Sequence, residues 1–302
     1  MIMIEECTLC PRNCKVNRSK GELGVCGCND KLYVARAALH MWEEPCISGE
    51  AGSGTVFFSG CSLRCVFCQN GSISKGISGK NITIERLAEI FLELQHKGAN
   101  NINLVTPTHY VLHIVEALKI AKKNGLILPV VYNTGGYEKV ETLRLLEGLV
   151  DIYLPDMKYI SNELSERYSN TKDYFKYAKA GLEEMYRQVG KAVFDEESGM
   201  MKKGIIVRHL VLPGSINDSK NVVKYLFETY GDNIYMSIMS QYTPMKRLIE
   251  KGDFPELCKK LDKIDYDKVV DYAIELGVEC AFIQEEDVAE ESFIPDFNCE
   301  GV

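Results

Sequence analysis

The feature that most constrains this chain is a short stretch in which three cysteines lie within eight residues. Cys61, Cys65 and Cys68 are separated by three and then by two residues, and no fourth cysteine follows nearby. Thiolate sulfur is the soft ligand that holds iron–sulfur clusters, and a closed [4Fe–4S] cubane takes four such ligands. The stretch therefore predicts a cubane with one iron that lacks a protein ligand. An open coordination position is typical of a metal site that performs chemistry rather than one that only stabilises a fold.

The same stretch, C-x3-C-x2-C with Phe67 directly before the third cysteine, resembles the signature of the radical S-adenosylmethionine (radical SAM) superfamily. The resemblance implies that Cys61, Cys65 and Cys68 are catalytic ligands of a [4Fe–4S] cluster, that Phe67 lies at the cofactor, and that S-adenosylmethionine (SAM) chelates the open iron. It further implies reductive cleavage of SAM to methionine and a 5′-deoxyadenosyl radical, which abstracts hydrogen from a substrate. An external one-electron donor of the flavodoxin or ferredoxin type is expected. Three buried cysteines, or a zinc loop without its fourth ligand, are the alternatives.

Composition excludes several other classes of protein. With 302 residues, 46% hydrophobic and 26% charged, the chain suits one large globular domain and a small module. A formal net charge of -8 argues against a nucleic-acid surface. No run of about 18 apolar residues predicts a membrane span, and residues 1–7 lack the pattern of a secretory signal. Twelve cysteines without such a signal favour metal ligation over disulfides, so we expect a cytoplasmic, anaerobic oxidoreductase.

A second group of cysteines lies near the N-terminus. Cys7, Cys10, Cys14 and Cys26, here called the N-terminal cysteine set, follow the pattern C-x2-C-x3-C-x11-C, with Cys28 as a competing ligand. Four thiolates suit structural zinc or a second iron–sulfur cluster, and the residues do not decide between the two metals. Such a small segment, poor in apolar residues, would need a metal to fold. Free thiols on a loop are the alternative.

We divide the chain into a Cys-rich metal-binding segment, residues 1–50, and a main domain with a C-terminal extension, residues 51–302. In the main domain short apolar runs alternate with amphipathic ones. Strands are predicted at 55–58, 101–105, 127–132, 150–154, 205–211, 234–239 and 280–283, and helices at 84–97, 111–124, 138–147, 172–188, 219–230 and 265–276. Repeated strand–helix units favour a parallel sheet. Six units fall short of a closed eight-fold barrel. They match the partial (β/α)6 barrel that the resemblance implies.

Polar residues follow these strands, where the loops of a parallel sheet build a site. Asn133 follows the third strand, Asp156 and Lys158 follow the fourth, and Arg208 lies within the fifth. Lys158 and Arg208 suit the carboxylate of SAM or its cleaved state. Asp156 suits the amino group, the ribose or a cation, and Asn133 suits the ribose or the methionine group. A structural ion pair at the rim is the alternative for the charged residues.

Several of these segments resemble the pyruvate formate-lyase activating enzyme branch of the superfamily. They are the D-x-K of residues 156–158, the pair Asn133 and Thr134, and the V-R-x-x-V-x-P-G pattern of residues 207–214. The likeness to the uncharacterised PflX-type members of that branch covers nearly the whole chain. One departure is the absence of the superfamily's G-G-E after the second strand. Thr106 or backbone carbonyls are the candidates to take its place in binding the SAM amino group.

The resemblance leaves two reactions nearly level. One is activation of a glycyl-radical enzyme, which would then be the protein partner. The other is modification of a small molecule or peptide, with the N-terminal metal anchoring substrate or relaying electrons. A SAM-independent iron–sulfur electron-transfer protein and a zinc-stabilised binding module are interpretations from other classes. The sequence identifies neither substrate nor product.

Overall fold

The computed structural model describes residues 3–76, 78–284 and 295–302. Its strands are β1 (Leu32–His40), β2 (Ser53–Phe58), β3 (Lys80–Ile82), β4 (Ile102–Val105), β5 (Val130–Thr134), β6 (Ile152–Pro155), β7 (Val193–Phe194), β8 (Met201–Leu210), β9 (Tyr235–Met239) and β10 (Ala281–Ile283). Its α-helices are α1 (Pro45–Ser48), α2 (Gly71–Ser74), α3 (Ile84–His96), α4 (Val111–Lys123), α5 (Val140–Leu143), α6 (Asn162–Ser169), α7 (Tyr174–Val189), α8 (Ile216–Tyr230), α9 (Lys246–Lys251) and α10 (Lys263–Leu276).

One sheet organises the molecule, in the order β10-β9-β8-β6-β5-β4-β2-β1-β3, with β7 paired to β8. All pairs from β2 through β10 on this path are parallel. Within the described residues the outermost strands, β3 and β10, do not pair with each other, so the sheet is open. The predicted α/β fold with a mostly parallel sheet is confirmed, and the short C-terminal strand joins it.

Two strands at the other edge were not predicted. β1 pairs antiparallel with β2, with His40 opposite Ser53, and β3 pairs antiparallel with β1. The last residues of β1 therefore lie at the end of the sheet where β2 begins. The cysteines that follow β2 lie at the opposite end of the sheet. Since β1 lies within residues 1–50, part of the predicted N-terminal segment contributes to the main sheet.

The start of α3 is as predicted, but the starts of α5, α7, α8 and α10 differ from the predicted ones by two or three residues, and α6 was not predicted. The Thr83 hydroxyl accepts a hydrogen bond from the Arg86 N–H at 3.1 Å and caps α3, as predicted. By contrast, α8 begins at Ile216, with Ser215 at its cap position, rather than at Ser219. The Ser219 hydroxyl donates to the Ser215 carbonyl at 3.2 Å, one turn back. A serine inside a first turn can bond backward in this way and then resembles a cap in the sequence.

Candidate active site

A cavity of about 250 Å³ lies at the carboxyl ends of the parallel strands. It is lined by residues 61–70 after β2 and by residues at the ends of β4, β5, β6, β8 and β9. All of the main-domain site residues predicted from the sequence are among its lining, namely Cys61, Cys65, Phe67, Cys68, Asn133, Asp156, Lys158 and Arg208. The parallel arrangement of the strands therefore brings together side chains that are far apart in the chain.

The cysteine loop, residues 60–70, presents its sulfurs to this cavity with donors beside them. The Leu63 N–H donates to the Cys61 Sγ at 3.4 Å, and the Ser169 hydroxyl donates to the Cys65 Sγ at 3.0 Å. Such donors favour the thiolate form that ligates metal. Burial raises the pKa of Cys68 to about 12 and also raises the pKa of Cys61, while the nearby Lys158 opposes both shifts. These thiols need further positive charge to ionise, and bound metal supplies it.

The donor set fits an iron–sulfur cluster, although the sulfurs are not yet gathered around one point. In the described parts of the chain, no three His, Cys, Asp or Glu side chains stand close enough to hold a single metal ion as they lie. A cysteine reaches a new sulfur position by rotation about one side-chain torsion. Three thiols in one loop, a cavity in front of them and a cation beside them are the components that such a cluster requires.

Phe67 fastens the cysteine loop to the protein core. Its ring packs edge-on against Tyr159 and Tyr168, with centroids 6.4 and 6.3 Å away, and the side chain is buried. Edge-to-face pairs of this kind contribute about 0.5–1.5 kcal/mol beyond burial. The aromatic position in the motif therefore fixes the backbone between the second and third cysteines.

Asp156 joins the two cations of the site. Lys158 Nζ lies 2.5 Å from one Asp156 oxygen, and Arg208 Nε lies 3.3 Å from the other. Burial alone would raise the pKa of Asp156, but Lys158 and Arg208 outweigh it and lower that pKa. Burial likewise disfavours charged Lys158, yet the Asp156 carboxylate outweighs it and raises the Lys158 pKa. All three groups are therefore ionised near neutral pH.

Glu43 completes this network and was missed by the sequence interpretation. It follows β1 at the opposite end of the sheet, and its carboxylate lies 3.1 Å from Arg208 Nη1. Its other oxygen accepts hydrogen bonds from Asn103 at 3.1 Å and Asn133 at 3.5 Å. Arg208 also donates to the Asn133 side-chain oxygen. Burial raises the pKa of Glu43, and Arg208 opposes that shift. The residues next to Glu43 in the sequence form no pattern that predicts these contacts.

Thr106 occupies the place of the missing G-G-E and has an unusual backbone. Its φ is 59°, a left-handed conformation that branched side chains rarely adopt, and it lines the cavity. Its N–H donates to the Asn133 carbonyl at 2.9 Å, which ties the end of β4 to β5. Arg64, within the cysteine loop, also has a positive φ, 54°. Backbone strain of this kind concentrates at functional sites.

Two histidines near the strand ends have structural partners. His109 Nε2 lies 2.7 Å from the Ser59 carbonyl, and His209 Nδ1 lies 2.7 Å from the Met157 carbonyl. Both side chains are buried, and neither is among the described residues that line the cavity. Burial lowers the pKa of His209 to about 4, so it is neutral at physiological pH.

The N-terminal cysteine set lies beside the cysteine loop but outside the cavity. Residues 7–16 form a turn closed by hydrogen bonds from the Cys7 N–H to the Val16 carbonyl at 3.0 Å and from Lys15 to Cys7 at 2.9 Å. Cys7, Cys10 and Cys26 are buried, and Cys14 is half-buried. Here too, within the described residues, no three of these side chains stand close enough to hold a single metal ion as they lie, so the assignment of a metal stays a prediction.

Comparisons with known protein families and curated sequences agree with this geometry. The family model described as the radical SAM superfamily matches residues 55–201. The uncharacterized protein MJ0674 of Methanocaldococcus jannaschii is 31% identical over 279 residues, which are 90% of this chain and 75% of that protein. The pyruvate formate-lyase-activating enzyme of Clostridium pasteurianum is 24% identical over 243 residues, 72% of this chain and 91% of that enzyme.

Solved structures share the fold. Methylornithine synthase (PylB) aligns with a TM-score of 0.51 and 15% identity, over 79% of this chain and 66% of that one. SuiB of Streptococcus suis bound to S-adenosylmethionine aligns with the same score and identity over 74% of this chain, which spans about half (48%) of SuiB.

In the described residues, no helix has the length and apolar character needed to cross a membrane.

Proposed function

This chain belongs to the radical SAM superfamily, and from that premise we propose that it cleaves SAM reductively and directs the resulting 5′-deoxyadenosyl radical to a hydrogen atom of its substrate. The observation that carries the proposal is the single cavity that joins the cysteine loop to Asn133, Asp156, Lys158 and Arg208. An electron carrier needs no such ring of charged and amide groups in front of its cluster. The ring therefore favours a bound small molecule at the open iron.

Different side chains would hold the cluster and SAM. Cys61, Cys65 and Cys68 would hold a [4Fe–4S] cluster, which when bound supplies the electron for SAM cleavage. Lys158 commits one of its three N–H groups to Asp156 at 2.5 Å, which leaves donors for the SAM carboxylate. Arg208 bonds Glu43, Asn133 and Asp156 at once. We therefore assign Lys158 to ligand binding and Arg208 to positioning.

For the finer reaction, activation of a glycyl-radical enzyme is our first candidate. The match to the pyruvate formate-lyase-activating enzyme extends over 91% of that enzyme's length, which supports a shared core reaction. Modification of a peptide or small molecule is the second candidate. It is prompted by SuiB, whose structure is also known bound to the precursor peptide SuiA. Membership of the PflX-type group, a flavodoxin or ferredoxin electron donor and a cytoplasmic, anaerobic setting stay predictions.

The test is anaerobic reconstitution with iron and sulfide, followed by SAM and a strong reductant, with 5′-deoxyadenosine quantified. We expect product from the wild type and none from Cys65→Ala. The proposal would be overturned in favour of an electron carrier if wild-type protein with an intact cluster formed no product and its spectrum did not change on addition of SAM. Zinc without iron at the cysteine loop would instead favour a binding module. A glycyl-radical signal on a partner enzyme would identify an activase.

A further inference from the structure

We propose that the N-terminal cysteine set holds a second, thiolate-ligated metal centre, and that this centre orders the cysteine loop. The ligand chemistry suits zinc or an iron–sulfur cluster, and both share the requirement for clustered thiolates. The first part of the proposal stands on the N-terminal residues alone. The second part rests on the proposed function, because it takes the cysteine loop to be the cluster site.

The sulfurs of Cys14 and Cys26 lie on either side of Gly24. A Cβ added to Gly24 would be 3.5 Å from both sulfurs, so they approach one point although 12 residues separate them in the chain. The Val25 N–H donates to the Cys14 Sγ at 3.3 Å. Thiolate ligands are stabilised by such backbone donors. Two of the four sulfurs therefore lie near one point of the folded segment, as ligands of one metal centre must.

Cys28, the competing ligand, lies between the N-terminal cysteine set and the cysteine loop. Its sulfur is fully buried and donates to the Ser59 carbonyl at 3.3 Å, at the end of β2. A Cβ added to Gly60 would lie 2.3 Å from this sulfur, so Cys28 packs directly against the start of the cysteine loop. The same sulfur lies 3.8 Å from the Cys26 carbonyl, so Cys28 contacts both the N-terminal cysteine set and the cysteine loop and stays a competing ligand.

The N-terminal segment has little else to hold it together. Among described residues 3–31, Ile4 is the only buried Ile, Leu, Val or Met; the other buried apolar side chains are mainly cysteines. A segment without a core of its own folds stably when metal ligation supplies the missing free energy. The cysteines are therefore placed where a metal would have the largest effect.

Arg12, between two members of the set, transmits that order to the cysteine loop. Its Nε donates to the Ser62 carbonyl at 2.8 Å and its Nη2 donates to the Leu63 carbonyl at 3.4 Å. A second link runs from the Cys61 N–H to the Cys26 carbonyl at 3.3 Å. Arg12 and the proposed ligand Cys26 thus bond three consecutive residues of the loop, beginning with its first cysteine.

The experiment measures zinc, iron and sulfide per chain in full-length protein purified and reconstituted without oxygen. We expect the wild type to carry metal beyond one [4Fe–4S] cluster: about one zinc if the centre is zinc, or extra iron and sulfide if it is a cluster. Cys14→Ser should lose that additional metal, and Cys258→Ser, at a half-buried cysteine away from the set, should keep it. Cys65→Ala should keep it while losing the other cluster, which separates this proposal from the proposed function.

The ordering effect is read from the reduced-cluster signal in electron paramagnetic resonance. Cys14→Ser should lower the SAM-responsive part of that signal several-fold per chain relative to Cys258→Ser. Arg12→Gln should lower it while the additional metal is retained, which guards against simple misfolding of the cysteine variant. Equal metal content in Cys14→Ser and Cys258→Ser would overturn the metal centre. An unchanged cluster signal in Arg12→Gln, and in Cys14→Ser despite the loss of its additional metal, would overturn the ordering role.

Discussion

The cysteine loop and the N-terminal cysteine set offer the same ligand to metal in different surroundings. The loop faces a cavity that is lined by the cations Lys158 and Arg208 and by the Asp156 carboxylate. Glu43 forms an ion pair with Arg208 and so supports this network. The N-terminal set lies in a turn packed on the outside of that rim, with three of its four cysteines buried. Open coordination suits reaction, whereas a closed site suits support of the fold. The number of cysteines and their surroundings thus both separate the site proposed to react from the site proposed to support the fold.

The largest predicted effect concerns the cysteine loop, which is the proposed site of reaction. Cys65→Ala should reduce 5′-deoxyadenosine formation to the background of the reaction without protein, because a cubane held by two thiolates is incomplete. The matched control is Cys258→Ala, since Cys258 is half-buried and its sulfur bonds only nearby carbonyls. Comparable activity in the two variants would contradict the assignment of the loop.

Removal of Glu43 tests the support of the cavity from within. Glu43→Ala removes one of the two carboxylates that form ion pairs with half-buried Arg208, and we expect a loss of about 3 kcal/mol, the lower end of the cost of breaking a buried pair. Anaerobic urea unfolding would measure the change. Glu50→Ala is the control, because Glu50 is an exposed carboxylate a few residues further along the chain. Equal losses would show that the Arg208 contact is unimportant.

Arg18 tests how firmly the N-terminal segment is docked. Its side chain is fully buried, donates to the Asn29 carbonyl at 2.9 Å and to the His109 carbonyl at 2.7 Å, and lies over the Tyr110 ring. Arg18→Met should lower the free energy of unfolding by about 2–3 kcal/mol, since buried carbonyls lose their donor. Exposed Lys20→Met should leave stability nearly unchanged. Limited proteolysis at residues 3–31 would show whether the segment detaches.

The smallest effect concerns Glu138, which accepts hydrogen bonds from Thr108 and Thr134 between the ends of β4 and β5. Burial raises its pKa to about 7, so the folded state holds a proton that the unfolded chain releases near pH 4.5. This stabilisation is complete below about pH 4.5 and is lost as the pH rises toward 7.

Between pH 5.5 and 7 the Glu138 contribution should fall by roughly 2 kcal/mol, at about 1.4 kcal/mol per pH unit. Glu138→Gln should remove this slope from the urea midpoint, whereas Glu85→Gln on the exposed start of α3 should preserve it. An unchanged slope in Glu138→Gln would show that other groups dominate the pH dependence.

Much of the site was predictable because parallel strands align their ends. Once strands and helices alternate, residues that follow the strands must meet at one rim, and Asn133, Asp156, Lys158 and Arg208 do so. The cysteine loop could be recognised from the sequence because its three cysteines lie within eight residues of one another. The assignment of roles to these side chains stays a prediction.

What escaped prediction depends on distant partners. β1 carries a register shift between Val34 and Arg36, which breaks the alternation that marks a strand in sequence. Glu43 lies 165 residues from Arg208, so neither residue's neighbours reveal the pair. Its position depends on β1 reversing direction at the edge of the sheet. Local periodicity contains no such information.

The central claim is that the cluster of the cysteine loop has an open iron that binds SAM. The most direct measurement is the electron paramagnetic resonance spectrum of the reduced, reconstituted protein with and without SAM. We predict a SAM-dependent change in the wild type, its absence in Cys65→Ala, and a requirement for more SAM in Lys158→Met. A well-formed cluster whose spectrum is the same with and without SAM would contradict the account.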